Sequence, residues 1–222
     1  SFTTSSDVSG VIGIAREFDG SDDYFQINNN IIEEVLSGGN EKTTLSLWVK
    51  ADNTDYLKIL IWEGSSKANG SGPEQELHLS FGALESGSGI DDYITLYFGD
   101  QNDHAEGGDM VHASEAYKDI VNWHYVAVSV DNSNGNSETA ILYIDGVPVN
   151  TSTGTVQSSF KKWNTNTRIG RPGQNWRYFD GIMDEVRIAD DIRSEHWIKL
   201  CYENQRSNQT LVSFGDVDGN TN

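Results

Sequence analysis

The sequence predicts an all-β protein built as a two-sheet antiparallel sandwich. Three observations carry the prediction. First, short segments alternate apolar and polar residues with a period of two. In Thr44 to Lys50, Leu45, Leu47 and Val49 fall on one face, and Ser46, Trp48 and Lys50 on the other; Val126, Val128 and Val130 form another apolar stripe. Second, Asp145–Gly146 stands between Ala140–Ile144 and Val147–Val149, which is the signature of a tight hairpin. Third, Gly-rich loops such as EGSSKANGSGP (63–73) and LESGSGIDD (84–92) separate the strands, and helical spacing is confined to two short stretches.

In chain order, residues 1–10 are Ser- and Thr-rich and read as a tether, residues 11–206 as one domain, and residues 207–222 as a tail or linker. Val11 to Ile14 suits a short first strand. Phe18 to Ile27 follows as an opening strand with a Gly–Ser–Asp–Asp turn inside it. Asn30 to Leu36 places Ile31, Ile32, Val35 and Leu36 at helical spacing, and Ser37–Gly38–Gly39 ends that turn. Further strands are expected at Tyr56–Trp62, Glu76–Phe81, Tyr93–Phe98, Thr167–Gly170 and Phe179–Ile188. Ser194 is placed to cap a final helix that packs Trp197, Ile198 and Cys201 on the sandwich. Trp48, Trp123 and Trp197 lie in regular elements and are expected in the core.

Charge narrows the partners. Fifteen Lys and Arg against 34 Asp and Glu give −19. That argues against nucleic acid and anionic membrane surfaces, which reward a basic face. Residues 68–117 hold ten acids and no Lys or Arg, either a solvated acidic surface or a cation-loaded loop. Cys201 is the single cysteine, so no intrachain disulfide forms. No apolar run approaches the roughly 20 residues of a membrane-spanning helix. The start SFTTSSDVSG does not read as a signal peptide, so an excised or mature domain is expected. Asp216-x-Asp218-x-Asn220 has the spacing of a calcium loop but no closing acid, so it reads as part of the tail.

Four pieces in order resemble the laminin-G-like, concanavalin A-like jelly-roll domains. They are FDGSDDYFQI (18–27), TLSLWVK (44–50), NWHYVAVSVD with AILYIDGVPV (122–149), and IGR followed by FDGIMDEVRIADDIRSEHW (169–197). The resemblance runs from about Phe18 to Tyr202 and implies a two-sheet antiparallel jelly roll with one short C-terminal helix. It also implies a structural calcium joining the opening and closing strands. Asp184 matches that position best, with Asp19 as a neighbour and backbone carbonyls near Glu17 or Gly20 and before Thr43 completing the shell. The alternative is that Asp184 accepts backbone amides and Asp19 is an exposed turn residue. Adjacent strand residues point to opposite faces, so either Asp184 or Glu185 must be inward or shielded.

The related sandwich hydrolases, laminarinases and agarases, carry Glu-x-Asp-x-x-Glu along one strand; here Glu74-x-Glu76 is the nearest approach. The five histidines form no HExxH, Cys201 lies on an apolar helix face, and no Gly-rich phosphate loop precedes a helix. His124, in WHYVAV, suits a structural role. No catalytic residue is therefore expected. Sugar recognition needs flat aromatic faces with planar hydrogen-bonding groups at their rim. Trp62, Trp163 and Trp176 fall at strand ends or in loops. Trp176 lies between Asn175 and Arg177, near Arg171 and Tyr178, and is either a binding platform or a lid on the core. Asp100, Gln101, Asn102 and His104 supply a second wall.

The sequence thus points to a non-catalytic carbohydrate-binding module or lectin-like domain. It would bind a polysaccharide or glycan as a monomeric unit of a larger secreted or surface protein, without inserting in a membrane. Its binding residues would be Trp176, Arg171, Asn175, Tyr178, Trp62, Asp100, Asn102 and His104, with Asp184 and Asp19 on calcium. A calcium-dependent protein–protein adhesion domain is the alternative reading. A spacer that binds nothing and a glycoside hydrolase stand behind it.

Overall fold

A computed structural model describes residues 6–37, 41–54, 58–66, 73–82, 93–100, 110–116, 119, 122–133, 138–154, 163, 165–173, 177–208 and 211. The strands are β1 (Asp7–Ser9), β2 (Ile14–Asp19), β3 (Phe25–Gln26), β4 (Lys42–Ala51), β5 (Lys58–Ser66), β6 (Pro73–Phe81), β7 (Tyr93–Asp100), β8 (Met110–Ala116), β9 (His124–Asp131), β10 (Glu138–Ile144), β11 (Val147–Gly154), β12 (Arg168–Ile169) and β13 (Asp180–Ala189). The helices are α1 (Ile31–Ser37) and α2 (Glu195–Gln205). The strands form two antiparallel sheets: a seven-stranded one in the order β1-β2-β13-β4-β9-β10-β11, and a six-stranded one in the order β3-β12-β5-β6-β7-β8.

The period-two stripes meet between the sheets. Leu45, Leu47, Val49, Val126, Val128 and Val130 come from one sheet, and Leu77, Leu79, Phe81, Ile94, Leu96 and Phe98 from the other; all are buried. Burial of each such side chain stabilises by roughly 1.5–3 kcal/mol, which makes this layer the principal source of stability. Ile32 and Leu36 of α1 close one end of that core. Trp48 faces the other way, as the alternation requires. There it packs with Tyr125, Ala127, Tyr143 and Ile198 of α2 on the outer face of the seven-stranded sheet, with Trp123 and Trp197 partly buried beside them. Ser194 accepts the amide of Trp197 and caps α2 as expected. Cys201 is partly buried against this cluster, and burial pushes its thiol up.

Both central residues of the hairpin turn have positive φ, 53° at Asp145 and 76° at Gly146, the type I′ geometry. Asp145 also reaches back to β9. Its Oδ1 accepts the Tyr125 amide at 3.0 Å, and its Oδ2 lies 2.7 Å from His124 Nδ1. His124 is therefore structural, and the hydrogen bond to Asp145 raises its pKa against the opposing effect of burial.

The structure departs from the sequence reading at five places. The first strand is Asp7–Ser9, because residues 11–13 form a bend that ends on Gly13 at φ +68°. Phe18 to Ile27 is two strands in different sheets: Gly20 at φ +69° turns the chain after β2, and β3 pairs with β12 across the sandwich. β8 appears where the sequence, MVHASEA, shows no clean apolar alternation. Trp163 is buried in the core, its ring 6.3 Å from that of Phe98. Finally, strict alternation fails at Asp184 and Glu185. A bulge shifts the β13–β4 register between Asp184 and Arg187, with Glu185 at φ +52°.

Candidate functional site

The outer face of the six-stranded sheet carries an unusual set of side chains. Leu77, Leu79 and Phe81 of β6 point into the core, so Glu76, His78 and Ser80 point away from it; Thr95 and Tyr97 of β7 do the same. An outward sheet face is ordinarily wet. Here Trp62, Glu76, His78, Ser80, Thr95 and Tyr97 are each at most 3% exposed. Trp62 lies opposite His78, and His78 opposite Tyr97, whose ring stacks on the imidazole at 5.1 Å. The Trp62 indole N–H donates to Glu76 Oε2. Glu76 Oε1 lies 3.4 Å from His78 Nδ1. Both His78 nitrogens, Ser80 Oγ and Thr95 Oγ1 are buried without a hydrogen-bond partner among the described residues. Leaving such a group unpaired costs about 1–3 kcal/mol, so this face is an enclosed polar layer and not an open sheet surface.

At the β12 end this row meets an arginine–aromatic corner. Arg168, paired across the ladder with Trp62, holds its guanidinium 5.5 Å from the indole centroid. Arg168 donates to Gln26 Oε1 and to the Pro172 carbonyl. No carboxylate pairs with it among the described residues. Burial, and after it the neighbouring Arg171, lower the Arg168 pKa from its ordinary value; the group remains a cation at any working pH. Arg171 is nearly buried, its guanidinium 3.8 Å from the Tyr24 ring centroid and 5.8 Å from that of Tyr178, and it donates to the Tyr178 hydroxyl at 3.0 Å. The chain between them explains the fit. Gly170 at φ +90° turns β12 away from the sheet, and a Cβ there would strike Phe18. Gly173 then lays its backbone on Trp62, where a Cβ would stand 2.8 Å from the ring.

Of the residues singled out in the sequence, Arg171, Tyr178 and Trp62 come together at this corner. Trp62 lies inside β5 rather than at a strand end, covered by Gly173 and Arg168, so it supports the site from below. Asp100 ends β7, opposite Gln75. Asn102, His104, Asn175 and Trp176 lie outside the described residues. Tyr24, Gln26, Arg168, Glu76, His78 and Tyr97 were missed. The polar stripe Glu76–His78–Ser80 opposite Leu77–Leu79–Phe81 was readable as one face of a strand. Its burial was not, because that depends on loops joined through the tertiary fold.

The two candidate metal ligands are far apart. Asp19 pairs with Asp180, whereas Asp184 lies just beyond Met183, the partner of Arg16. Four strand positions separate them, about 13 Å, so one ion does not take both. Asp184 is buried and uses both oxygens on backbone amides, Oδ2 accepting from Ile12 at 2.9 Å and Oδ1 from Glu185 at 2.8 Å. Asp19 Oδ1 accepts the amides of Ser21 and Asp22, and these hold its carboxyl below the usual range. Carboxylate oxygens of Asp19, Asp22 and Asp23 lie within 4.8 Å of one another. Asp180 across the ladder is raised chiefly by burial, with Asp52 and Asp19 adding to it and Lys58 opposing.

Two antiparallel sheets closed by a C-terminal helix, with a furnished outer sheet face, define a lectin-type jelly roll. The chain belongs to the Laminin_G_3 family of the concanavalin A-like lectin/glucanases superfamily, whose model matches residues 19–199. No curated protein matches it. Among solved structures, domain 4 of AbnA, a GH43 extracellular arabinanase from Geobacillus stearothermophilus in complex with arabinotriose, is similar at 17% identity and TM-score 0.53, over 87% of this chain and 78% of that one. The NanB sialidase of Streptococcus pneumoniae aligns at 16% identity and TM-score 0.58, over 86% of this chain and 28% of that one. A putative carbohydrate binding protein of Bacteroides ovatus aligns at 17% identity and TM-score 0.51, over 83% of this chain and 45% of that one. The chain thus spans less than half the length of the latter two.

Proposed function

We propose that this chain is a non-catalytic carbohydrate-binding module of a larger secreted or surface protein, and that it binds glycan at the arginine–aromatic corner. The observation that carries the reading is the pairing of planar donors with rings: Arg171 held between Tyr24 and Tyr178, and Arg168 over Trp62 beside exposed Gln26. Tyr24 and Tyr178, both partly exposed, offer ring surface to sugar C–H groups, and the Arg168 guanidinium and Gln26 amide fix hydroxyls or an acidic substituent in defined directions. The neighbours named for arabinotriose and for carbohydrate binding support the class of ligand. Glu76, the nearest candidate acid, is engaged by the Trp62 indole, which supports a non-catalytic role.

A glycan array followed by calorimetry on the best ligand tests this. Arg168→Gln and Gln26→Ala should each weaken binding about tenfold, the equivalent of 1.4 kcal/mol, with no reducing ends released. Unchanged affinity in both variants would move the site elsewhere. A protein–protein adhesion role is favoured by a different feature. A groove of about 400 Å³ opens between the sheet edges, lined by Ile14, Phe25, Ile27, Ile169 and Val186, with Ile14 exposed. A blank array would leave that reading standing.

We also propose a structural calcium. Asp19, Asp22 and Asp23 fit it by donor chemistry, three hard carboxylates converging on one turn. Asp184 would contribute by fixing residues 10–12 to β13. Calcium at a hundredfold excess over its Kd stabilises by about 2.7 kcal/mol. The melting temperature should therefore rise with calcium over sodium at matched ionic strength, and Asp22→Asn should abolish the rise. Identical curves after exhaustive chelation would retire the ion.

A further inference from the structure

The sandwich has a second furnished surface, on the side opposite the arginine–aromatic corner. Where the 10–13 bend meets the C-terminal end of α2, a cleft of about 300 Å³ opens on the outer face of the seven-stranded sheet. Trp48 forms its floor, Trp123 and Tyr202 line it, and Arg206, Ser207 and Asn208 stand at its rim. From this lining we infer that the cleft binds a neutral saccharide of one or two rings, which makes the chain bivalent for carbohydrate.

Three features fix that class. The aromatic surfaces are held in place: Trp48 and Tyr202 lie 5.6 Å apart at 31°, and the Trp48 indole N–H donates to Gln205 at 2.6 Å. Trp123 and Tyr202 are only partly buried, so ring surface remains for the C–H face of a sugar. The rim is neutral in sum. Arg206 is ion-paired with Glu203 and lies over the Tyr202 ring, while Ser207 and Asn208 are uncharged and exposed. An anion would have to compete with Glu203 inside a protein of charge −19; hydroxyl groups do not. The size sits at the lower end of the range for small-molecule clefts, which suits one or two rings and not a polymer groove.

The opposite wall is built for a fixed geometry. Gly10 donates to the Gly13 carbonyl, and Ile12 donates to the buried Asp184 carboxylate. Asp184 is thus a positioning residue for the cleft as well as a clamp on β13. Because the two surfaces lie on different sheets, this cleft stands independently of the arginine–aromatic corner.

The test is a two-dimensional amide NMR titration of the whole chain, read at the indole N–H signals of Trp48 and Trp123. The probes are lactose, maltose, cellobiose, xylobiose and arabinobiose, with glucuronic acid as the charged control. At least one neutral disaccharide should shift both signals saturably, in the wild type and equally in Arg168→Gln, whereas glucuronic acid should not. Asn208→Ala, an exposed substitution that leaves the packing alone, should weaken that binding at least fivefold, and Tyr202→Ala should abolish it. Silence from all five disaccharides overturns the inference, as do shifts that Asn208→Ala leaves unchanged. Loss of binding in Arg168→Gln would instead place the saccharide at the other surface.

Discussion

Glu63 has no exposed surface, yet it accepts hydrogen bonds from the amides of Ile32 and Glu33 and from the Thr167 hydroxyl. It thereby does for α1 what an N-cap does, from a strand thirty residues away. Burial pushes its carboxyl from 4.5 up to about 7, against the pull of those three donors. The sign follows directly. A folded-state pKa above the unfolded one contributes stability that is complete below 4.5 and is lost as pH rises through 7. The span corresponds to about 3 kcal/mol. His124, also raised, has the same sign at higher pH, so the raw pH profile mixes the two. The difference between wild type and Glu63→Gln isolates the carboxyl. That difference should shrink steadily between pH 4.5 and 7.5 in chemical denaturation; a flat difference would show that Glu63 is ionised throughout.

β13 illustrates what a pattern of residues can and cannot disclose. Its existence and the helix after it were legible in FDGIMDEVRIADDIRSEHW, because core alternation and an N-cap are local signals; its partners β2 and β4 come from the fold. Its bulge was not. Glu185 at φ +52° is an unfavourable choice that only the packing on either side enforces. Gly181 is the complementary case: it sits at φ +139°, and a Cβ there would stand 2.8 Å from Ala51 Cα. Gly181→Ala should therefore lower the melting temperature by several degrees, well beyond the effect of an exposed glycine such as Gly13→Ala. Equal losses would mean that β4 yields at this point. Of the candidate site, the loop chemistry of Arg171 and Tyr178 was legible. Tyr24, Gln26 and Arg168 were not, because the 3–12 strand pairing that brings residue 26 to residue 168 leaves only a two-residue trace on either strand.

Taken entire, the protein carries −19 and gathers Asp19, Asp22, Asp23, Asp52 and Asp180 at one end of the seven-stranded sheet. Self-repulsion of that size destabilises the compact state and is screened within about 10 Å at 0.1 M salt. Raising sodium chloride from 10 to 300 mM should raise the melting temperature, even with chelator present; a fall would mean that the ion pairs outweigh the repulsion. The sheet margins carry a different consequence. β1 has three residues and β3 two, too few to template another strand. Of the two longer margins, β8 and β11, the latter reads VPVNTSTG, with Pro148 exposed near its start and a register shift opposite it in β10. Proline withholds a donor, and polar, interrupted margins resist edge-to-edge annealing. The β11 margin is therefore a poor template for strand addition by a second copy of this domain.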